Sequence, residues 1–274
     1  MPPKRIKRAY LHGYSRQEQD RLYRQARFLE PKVYEKIDFS QVTRLLEVGC
    51  GVGAQTAILL ERFAHLKIDS VDAAETQIAR AKEYLAEPIA EKRVTLHVAE
   101  GQNLPFADNT FDGVFVCWFL EHLNSPLAVL SEIRRVLRPG GIIYCNEVLN
   151  STFFIDPYSP ATLKYWFVFN DHQWNLGGDP FVGAKLGNFL LASGFQNIAS
   201  HVCSFHYDNR SPKMRTQMIE YWTEILLSGT PELVQKKLIT TDLVEEMKKE
   251  LALLKKDPNA VLFDSWIQAR GEVY

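Results

Sequence analysis

Cysteine is scarce in this chain, four residues in 274, and the four stand far apart as Cys50, Cys117, Cys145 and Cys203. They form no C-x-x-C pair and no cluster with histidine, so neither a disulfide framework nor a zinc site of ordinary spacing is expected, and no metal centre is assigned. Cys50 falls in a glycine turn and the others in apolar, strand-like runs, where they read as small buried hydrophobes. An excess of one charge is missing as well: the formal net charge is −1 with 24% charged residues. A nucleic-acid binder carries a strongly basic face, and the one basic run here, Lys4-Arg5-Ile6-Lys7-Arg8, is short and reads as a solvated tail. No apolar stretch reaches the roughly 18 residues of a membrane span, and the N-terminus lacks the apolar core of a signal peptide. The expectation is a cytoplasmic protein with neither nucleic acid nor membrane as partner. Internal repeats and low-complexity tracts are also absent.

What is present is apolar material, 46% of the chain, enough for one large domain with an elaborated lid. The organising stretch is Leu45-Leu46-Glu47-Val48-Gly49-Cys50-Gly51-Val52-Gly53-Ala54. Thr43 to Val48 reads as a buried strand and Ala54 to Phe63 as a helix, with three glycines at alternate positions between them. Such a turn lets the backbone approach a ligand closely, and the first amides of the helix face the same ligand. Gly49, Gly51 and Ala54 also satisfy the dinucleotide fingerprint G-x-G-x-x-G/A, and Asp72 stands where an acid grips a ribose. At this point the ligand stays open.

Strand and helix then alternate. Strands are expected at Leu66–Val71, Val94–Val98, Val114–Trp118 and Ile142–Val148, and helices at Ala74–Ala86 and Pro126–Val136. Upstream, Arg16–Leu29 is a helix with Ser15 as N-cap, Glu18 completing a capping box, and Pro31 ending its regular run. Repeated strand–helix units imply a parallel sheet with helices on both faces, and ligands then bind beyond the C-terminal strand ends. Asp72, Glu100, Trp118 and the glycine turn all sit at such ends. From Asn150 to Gly178 aromatic residues crowd together in a pattern too irregular for another unit. A helix at Lys185–Ala192 and a strand near Ile198–Phe205 follow. Then come helices at Met214–Leu227, Pro231–Ile239 and Asp242–Lys255 and a last strand at Ala260–Gln268, suggesting an antiparallel edge pair and a lid.

Four motifs together resemble the class I S-adenosylmethionine (SAM)-dependent methyltransferases. They are Glu47-x-Gly49-x-Gly51-x-Gly53, with an acid where dinucleotide folds have an apolar residue; Asp72; Glu100-Gly101-Gln102-Asn103-Leu104-Pro105-Phe106 followed by Asp108-x-x-Phe111-Asp112; and Leu137-Arg138-Pro139-Gly140-Gly141. They cover about residues 43–148. Through most of the chain the likeness is to the small-molecule branch, of the ubiquinone/menaquinone-biosynthesis type, and Leu11-His12-Gly13-Tyr14-Ser15-Arg16-Gln17-Glu18 resembles the N-terminus of uncharacterised members. The resemblance implies an α/β, Rossmann-like three-layer sandwich. Its sheet has seven strands, mostly parallel with an antiparallel last strand, under a helical and aromatic lid. Residues 1–40 would be an N-terminal lid helix, 41–150 the SAM-binding core, and 151–274 acceptor-lid segments, helical insert and closing strands of the same domain.

By the same resemblance Gly49, Cys50 and Gly51 would lie against the methionine part of SAM and Glu47 would orient their loop. Asp72 would take both ribose hydroxyls and Ala73 would lie beside the adenine. Glu100 would receive the adenine amino group, bordered by Gly101 and Gln102, while Cys117 and Trp118 would pass the sulfonium. Tyr14 is a candidate to close over the cofactor, weighed against plain lid packing. His122 and Glu147 are the candidate catalytic residues, each weighed against a role bracing the loop, and His172 is a further candidate base. Phe153, Phe154, Trp166, Trp174 and Trp222 are candidates for an acceptor pocket. The Asn/Asp-Pro-Pro-Tyr/Phe motif of base and glutamine methylation is missing; Val116-Cys117-Trp118-Phe119 stands there. The implied activity is methyl transfer to O, N, C or S of a small, partly apolar molecule. The rivals are a non-catalytic SAM-binding partner protein and an NAD-dependent oxidoreductase. Oligomeric state stays open, a homodimer being one option.

Overall fold

The computed structural model describes residues 13–274. The basic run at 4–8 and the Leu11-His12 end of the N-terminal motif lie outside the described residues. The strands are β1 (Arg44–Val48), β2 (Lys67–Asp72), β3 (Val94–Val98), β4 (Phe111–Cys117), β5 (Leu137–Val148), β6 (Phe154–Asp156), β7 (Gln196–Tyr207) and β8 (Val261–Glu272). The helices are α1 (Arg16–Val33), α2 (Ala54–Arg62), α3 (Glu75–Tyr84), α4 (Ala86–Ala90), α5 (Pro126–Val136), α6 (Pro160–Asn175), α7 (Leu186–Ala192), α8 (Pro212–Gln235) and α9 (Thr241–Lys256).

One sheet runs β3-β2-β1-β4-β5-β8, its first five strands parallel and β8 antiparallel to β5. β7 pairs with β8 from Tyr207↔Leu262 to Gln196↔Glu272, overlapping the stretches of β8 that face both β5 and β6. β7 therefore takes one edge of β8, and β6 continues β5 along the other. The expected mostly parallel sheet with an antiparallel last strand forms, with eight strands where seven were expected, the short β6 being the addition. Side chains alternate between two cores. Leu45, Ile68, Phe115, Tyr144 and Trp266 face α1, α2, α6, α8 and α9. Leu46, Val71, Val116, Cys145 and Ile267 face α5 and α7. Both faces are covered, so the central strands read as continuous apolar runs. Each fully buried Leu or Phe contributes roughly 1.5–3 kcal/mol.

Ser15 caps α1, its Oγ accepting from Glu18 N at 3.2 Å, but the Glu18 carboxylate is bonded to Arg21 Nε at 2.7 Å, so that carboxylate is engaged elsewhere than in the expected capping box. The helix also carries Pro31 in its last turn and ends at Val33.

Two corrections concern the C-terminal half. The aromatic stretch expected to be irregular contains the sixteen-residue helix α6, and the helices expected on either side of Pro231 are one helix, α8. In α6 the first turn is capped from a distance: Glu250 of α9 accepts from Ala161 N at 3.0 Å, Thr162 N at 2.8 Å and Thr162 Oγ1 at 2.8 Å. In α8 the Tyr165 hydroxyl of α6 donates to Leu226 O and lies 3.0 Å from Thr230 Oγ1, tying α6 to the turn just before Pro231. Gly229 lets the two helices touch, since a Cβ there would fall 2.8 Å from the Phe169 ring.

Candidate active site

The site is built on the turn after β1. Gly49 N and Cys50 N both donate to Val71 O of β2, at 2.8 and 3.0 Å, folding the turn over the neighbouring strand. At Gly49 φ is +78°, and a Cβ would lie 2.3 Å from the Phe119 ring, so no side chain fits. Glu47 is 3% exposed beneath this turn. It accepts from Thr56 Oγ1 of α2 and from Ser70 Oγ of β2 at 3.2 Å, tying both to β1. Burial, opposed by those two hydroxyls, pushes its carboxyl up to about 7.

Asp72 ends β2 and is partly exposed. Its Oδ2 accepts from Gly51 N at 2.9 Å and its Oδ1 from Ala74 N at 2.8 Å. Each oxygen keeps a lone pair for an incoming hydroxyl. Burial raises its pKa, the two backbone donors oppose that, and the charges of Glu100 and His122 also reach it. Asp72 and Ala73 line one side of a crevice, Ala99, Glu100 and Gly101 the other, and Gly49 and Phe119 also line it. Cys50 is buried within the turn, and Gln102 is exposed and does not line the crevice. Tyr14, exposed, precedes the α1 cap, and α1 is held to this side by Gln19 Nε2, which donates to Thr76 O at 3.1 Å and Gln77 Oε1 at 2.8 Å.

The segment after β4 closes the crevice. Cys117 accepts at Sγ from Gln55 Nε2 at 3.7 Å, and burial pushes its thiol up. Trp118 has φ of +49°, a conformation that costs a bulky residue about 1–3 kcal/mol, and its N–H is held by Asn146 O at 2.8 Å. Glu147, 0% exposed on β5, accepts from Phe119 N at 3.0 Å, Leu120 N at 2.8 Å and Glu121 N at 3.2 Å. It thus caps the short 3-10 turn Leu120–His122. Burial and the charge of Glu121 push its carboxyl up to about 8 against those three donors. Of the two weighed roles, this is the bracing position. His122 is half-buried on the same turn, its Nε2 3.7 Å from Glu121 Oε1.

Of the five aromatic candidates, Phe153, Trp166 and Trp222 pack together with ring centroids 4.4–5.4 Å apart, whereas Phe154 and Trp174 are more than half exposed. His172 stands between α6 and α8, 3.5 Å from Glu232 Oε1. Sequence reasoning missed Phe119, whose only signal is its place after Trp118. It also missed Asn146 and Asp264. Asn146 is 0% exposed and its Oδ1 takes Gln268 Nε2 at 2.8 Å, while its Nδ2 has no partner. Asp264, on β8, is pushed up to about 7 by burial.

The chain is similar to known proteins of one kind. Residues 46–145 match the family model described as a methyltransferase domain. The demethylmenaquinone methyltransferase of Symbiobacterium thermophilum is 36% identical over 132 residues, 45% of this chain and 53% of that protein. The 27-O-demethylrifamycin SV methyltransferase of Amycolatopsis mediterranei is 29% identical over 153 residues, 56% of this chain and 54% of its own. The chain thus spans about half the length of these curated relatives. Among solved structures, phosphoethanolamine N-methyltransferase 2 of Haemonchus contortus, in complex with SAM, superposes with a TM-score of 0.55 at 19% identity. That match covers 91% of this chain and 52% of that one, and it shows the fold.

Proposed function

We propose that this chain is a SAM-dependent methyltransferase that transfers a methyl group to O, N, C or S of a small, partly apolar molecule. The observation that carries the reading is Asp72, a carboxylate steered by Gly51 N and Ala74 N into a crevice floored by a glycine that admits no side chain. The residues fit the cofactor. A ribose diol is a double donor for one carboxylate. The cofactor carries no phosphate, and the crevice is lined by no lysine or arginine among the described residues. SAM supplies a methyl group on a positively charged sulfur. In this reading the chain binds the ribose at Asp72, borders the adenine with Ala73, Glu100 and Gly101, and keeps water out with Phe119. Gly49, Cys50 and Gly51 meet the methionine end, and Cys117 and Trp118 pass the reacting centre. Alignment and exclusion of water are the main work of such a site. A small molecule as acceptor is supported by the named relatives. The net charge of −1 speaks against a nucleic-acid partner, and a cytoplasmic setting belongs to the same reading.

Isothermal titration with SAM, its demethylated product and NAD in parallel tests this. Micromolar binding of SAM or the product with NAD silent is expected. Binding of NAD in place of SAM would overturn the reading.

A further inference from the structure

A second cavity, of about 390 Å³, lies where β1, β2 and β3 begin. Four cations, Arg44, Lys67, Lys92 and Arg93, line it against one carboxylate, Asp69. The chain as a whole carries a net charge of −1, so this excess of positive charge is local. β2 enters at Lys67 and ends at Asp72, which sets the cavity a strand's length, about 16 Å, from the cofactor crevice.

Backbone pairing gathers these cations. Arg44 and Lys67 are register partners in β1 and β2, and Ile68 N donates to Arg93 O at 2.8 Å, so Lys67 stands between two arginines of adjacent strands. Like charges side by side in a sheet are unfavourable. The one lining carboxylate is already engaged: Asp69 Oδ2 takes Arg44 Nε and Nη2, both at 3.2 Å, and Oδ1 lies 2.8 Å from His97 Nε2. Glu91 is 3.9 Å from Arg93 Nη1, beyond hydrogen-bond reach. The exposed ammonium groups of Lys67 and Lys92 have neither ion pair nor hydrogen bond among the described residues. Lys92 also has φ of +58°, in a turn held by its own N–H to Ile89 O at 3.0 Å and by Arg93 N to Pro88 O at 2.9 Å. That place after a helix is ordinarily glycine's, so the lysine side chain is kept at a backbone cost.

We propose that this cavity is a binding site for a diphosphate group, separate from the methyl-transfer crevice and independent of the function read there. Neighbouring strands stand about 4.8 Å apart, so Arg44, Lys67 and Arg93 set out a row of positive charge over three strands, with Lys92 at its end. A single phosphate or carboxylate meets part of that row; two linked phosphates meet more of it. Arg44 is steadied over the Phe111 ring, 4.9 Å from its centroid, and its Nη1 stays free of the Asp69 bonds. Arg93 spends Nη2 on Leu60 O at 3.2 Å and keeps Nε and Nη1. Guanidinium donors and ammonium groups are the usual partners of phosphate oxygens, and the hydroxyls of Thr43 and Thr95 add neutral donors at the same lining.

The test titrates the full chain calorimetrically with inorganic pyrophosphate, phosphate and sulfate at about 0.15 M ionic strength, where long-range attraction is screened. Pyrophosphate is expected to bind at least about tenfold more tightly than either single anion. Lys92→Gly and Lys67→Thr should each cut pyrophosphate affinity by about fivefold or more. Neither variant should melt below the parent, because glycine takes the left-handed place freely and threonine suits a strand and removes a like charge. Lost affinity then reports a lost ligand contact and not a loosened fold. A further titration with ADP, run with the demethylated cofactor at saturation, distinguishes two sources: binding as tight as pyrophosphate marks a diphosphate carried on a larger molecule, weak binding marks the free anion, and both uphold the site. Equal affinity for pyrophosphate and sulfate, no binding of pyrophosphate, or affinity unchanged in both variants overturns the proposal. So does a pyrophosphate affinity that falls when the demethylated cofactor is added, since that would put the anion in the crevice.

Discussion

At Asp72 two demands meet on one side chain. The carboxylate already holds Gly51 N and Ala74 N, so it shapes the turn before any ligand arrives. Asp72→Ala removes the ribose contact and the brace together. A loss of roughly 1–3 kcal/mol in SAM binding is expected in a protein that still folds, read by calorimetry. Gly49 lines the same crevice with no room for a methyl group. Gly49→Ala combines a left-handed backbone with overlap against Phe119. It should lower stability by about 1–3 kcal/mol in chemical denaturation and weaken cofactor binding further than Asp72→Ala does. These two residues were legible in the sequence because the chemistry needs a residue type at a fixed place after a strand. Phe119 was not, because its role comes from what the sheet brings beside it; a phenylalanine after a strand has no signature of its own.

Among the elements, the parallel strands announced themselves as short apolar runs closed by an acid or a glycine. β1 to β4 lie within a few residues of expectation, and β5 pairs continuously from Ile142 as expected, after an earlier pair of Leu137 with Phe111 and a register shift between them. The helices α6 and α8 did not. The first turn of α6 is held by Glu250, 89 residues away, and no local reading sees a cap that distant. Exposed aromatics such as Phe167 and Trp174 blur its apolar stripe as well. Pro231 reads as a helix start in isolation, yet α8 passes through it, and Tyr165 of α6 is bonded to the turn just before it. The cap gives a prediction: Glu250→Ala should cost about 1–2 kcal/mol of stability and raise hydrogen exchange first at the Ala161 and Thr162 amides.

For the molecule as a whole, the buried carboxyls make stability depend on pH. Glu47 has a folded pKa raised from 4.5 to about 7, and Asp264 one raised from 3.8 to about 7. A raised carboxyl keeps a proton in the folded state that the unfolded chain has released. Its contribution is therefore full below the unfolded value and is lost as pH rises toward the folded one. The ligand-free protein should melt at a higher temperature near pH 5 than near pH 8. For Glu47 the limit is about 3 kcal/mol, and Glu47→Gln should flatten that part of the profile.

The segment Phe119–Glu121 is fastened at both ends. Phe119 lies against Gly49, while Glu121 O accepts Asp179 N at 2.7 Å and Glu121 Oε2 accepts Gln173 Nε2 of α6 at 2.8 Å. A shift of α6 when an acceptor seats would pull on the residue that closes over the cofactor, and the reverse also holds. The two ligands then form a thermodynamic square. Whatever factor the acceptor gains from a bound cofactor, the cofactor must gain from a bound acceptor. Paired titrations in either order should return one coupling factor above unity, and Gln173→Ala should bring it toward one without abolishing either binding event.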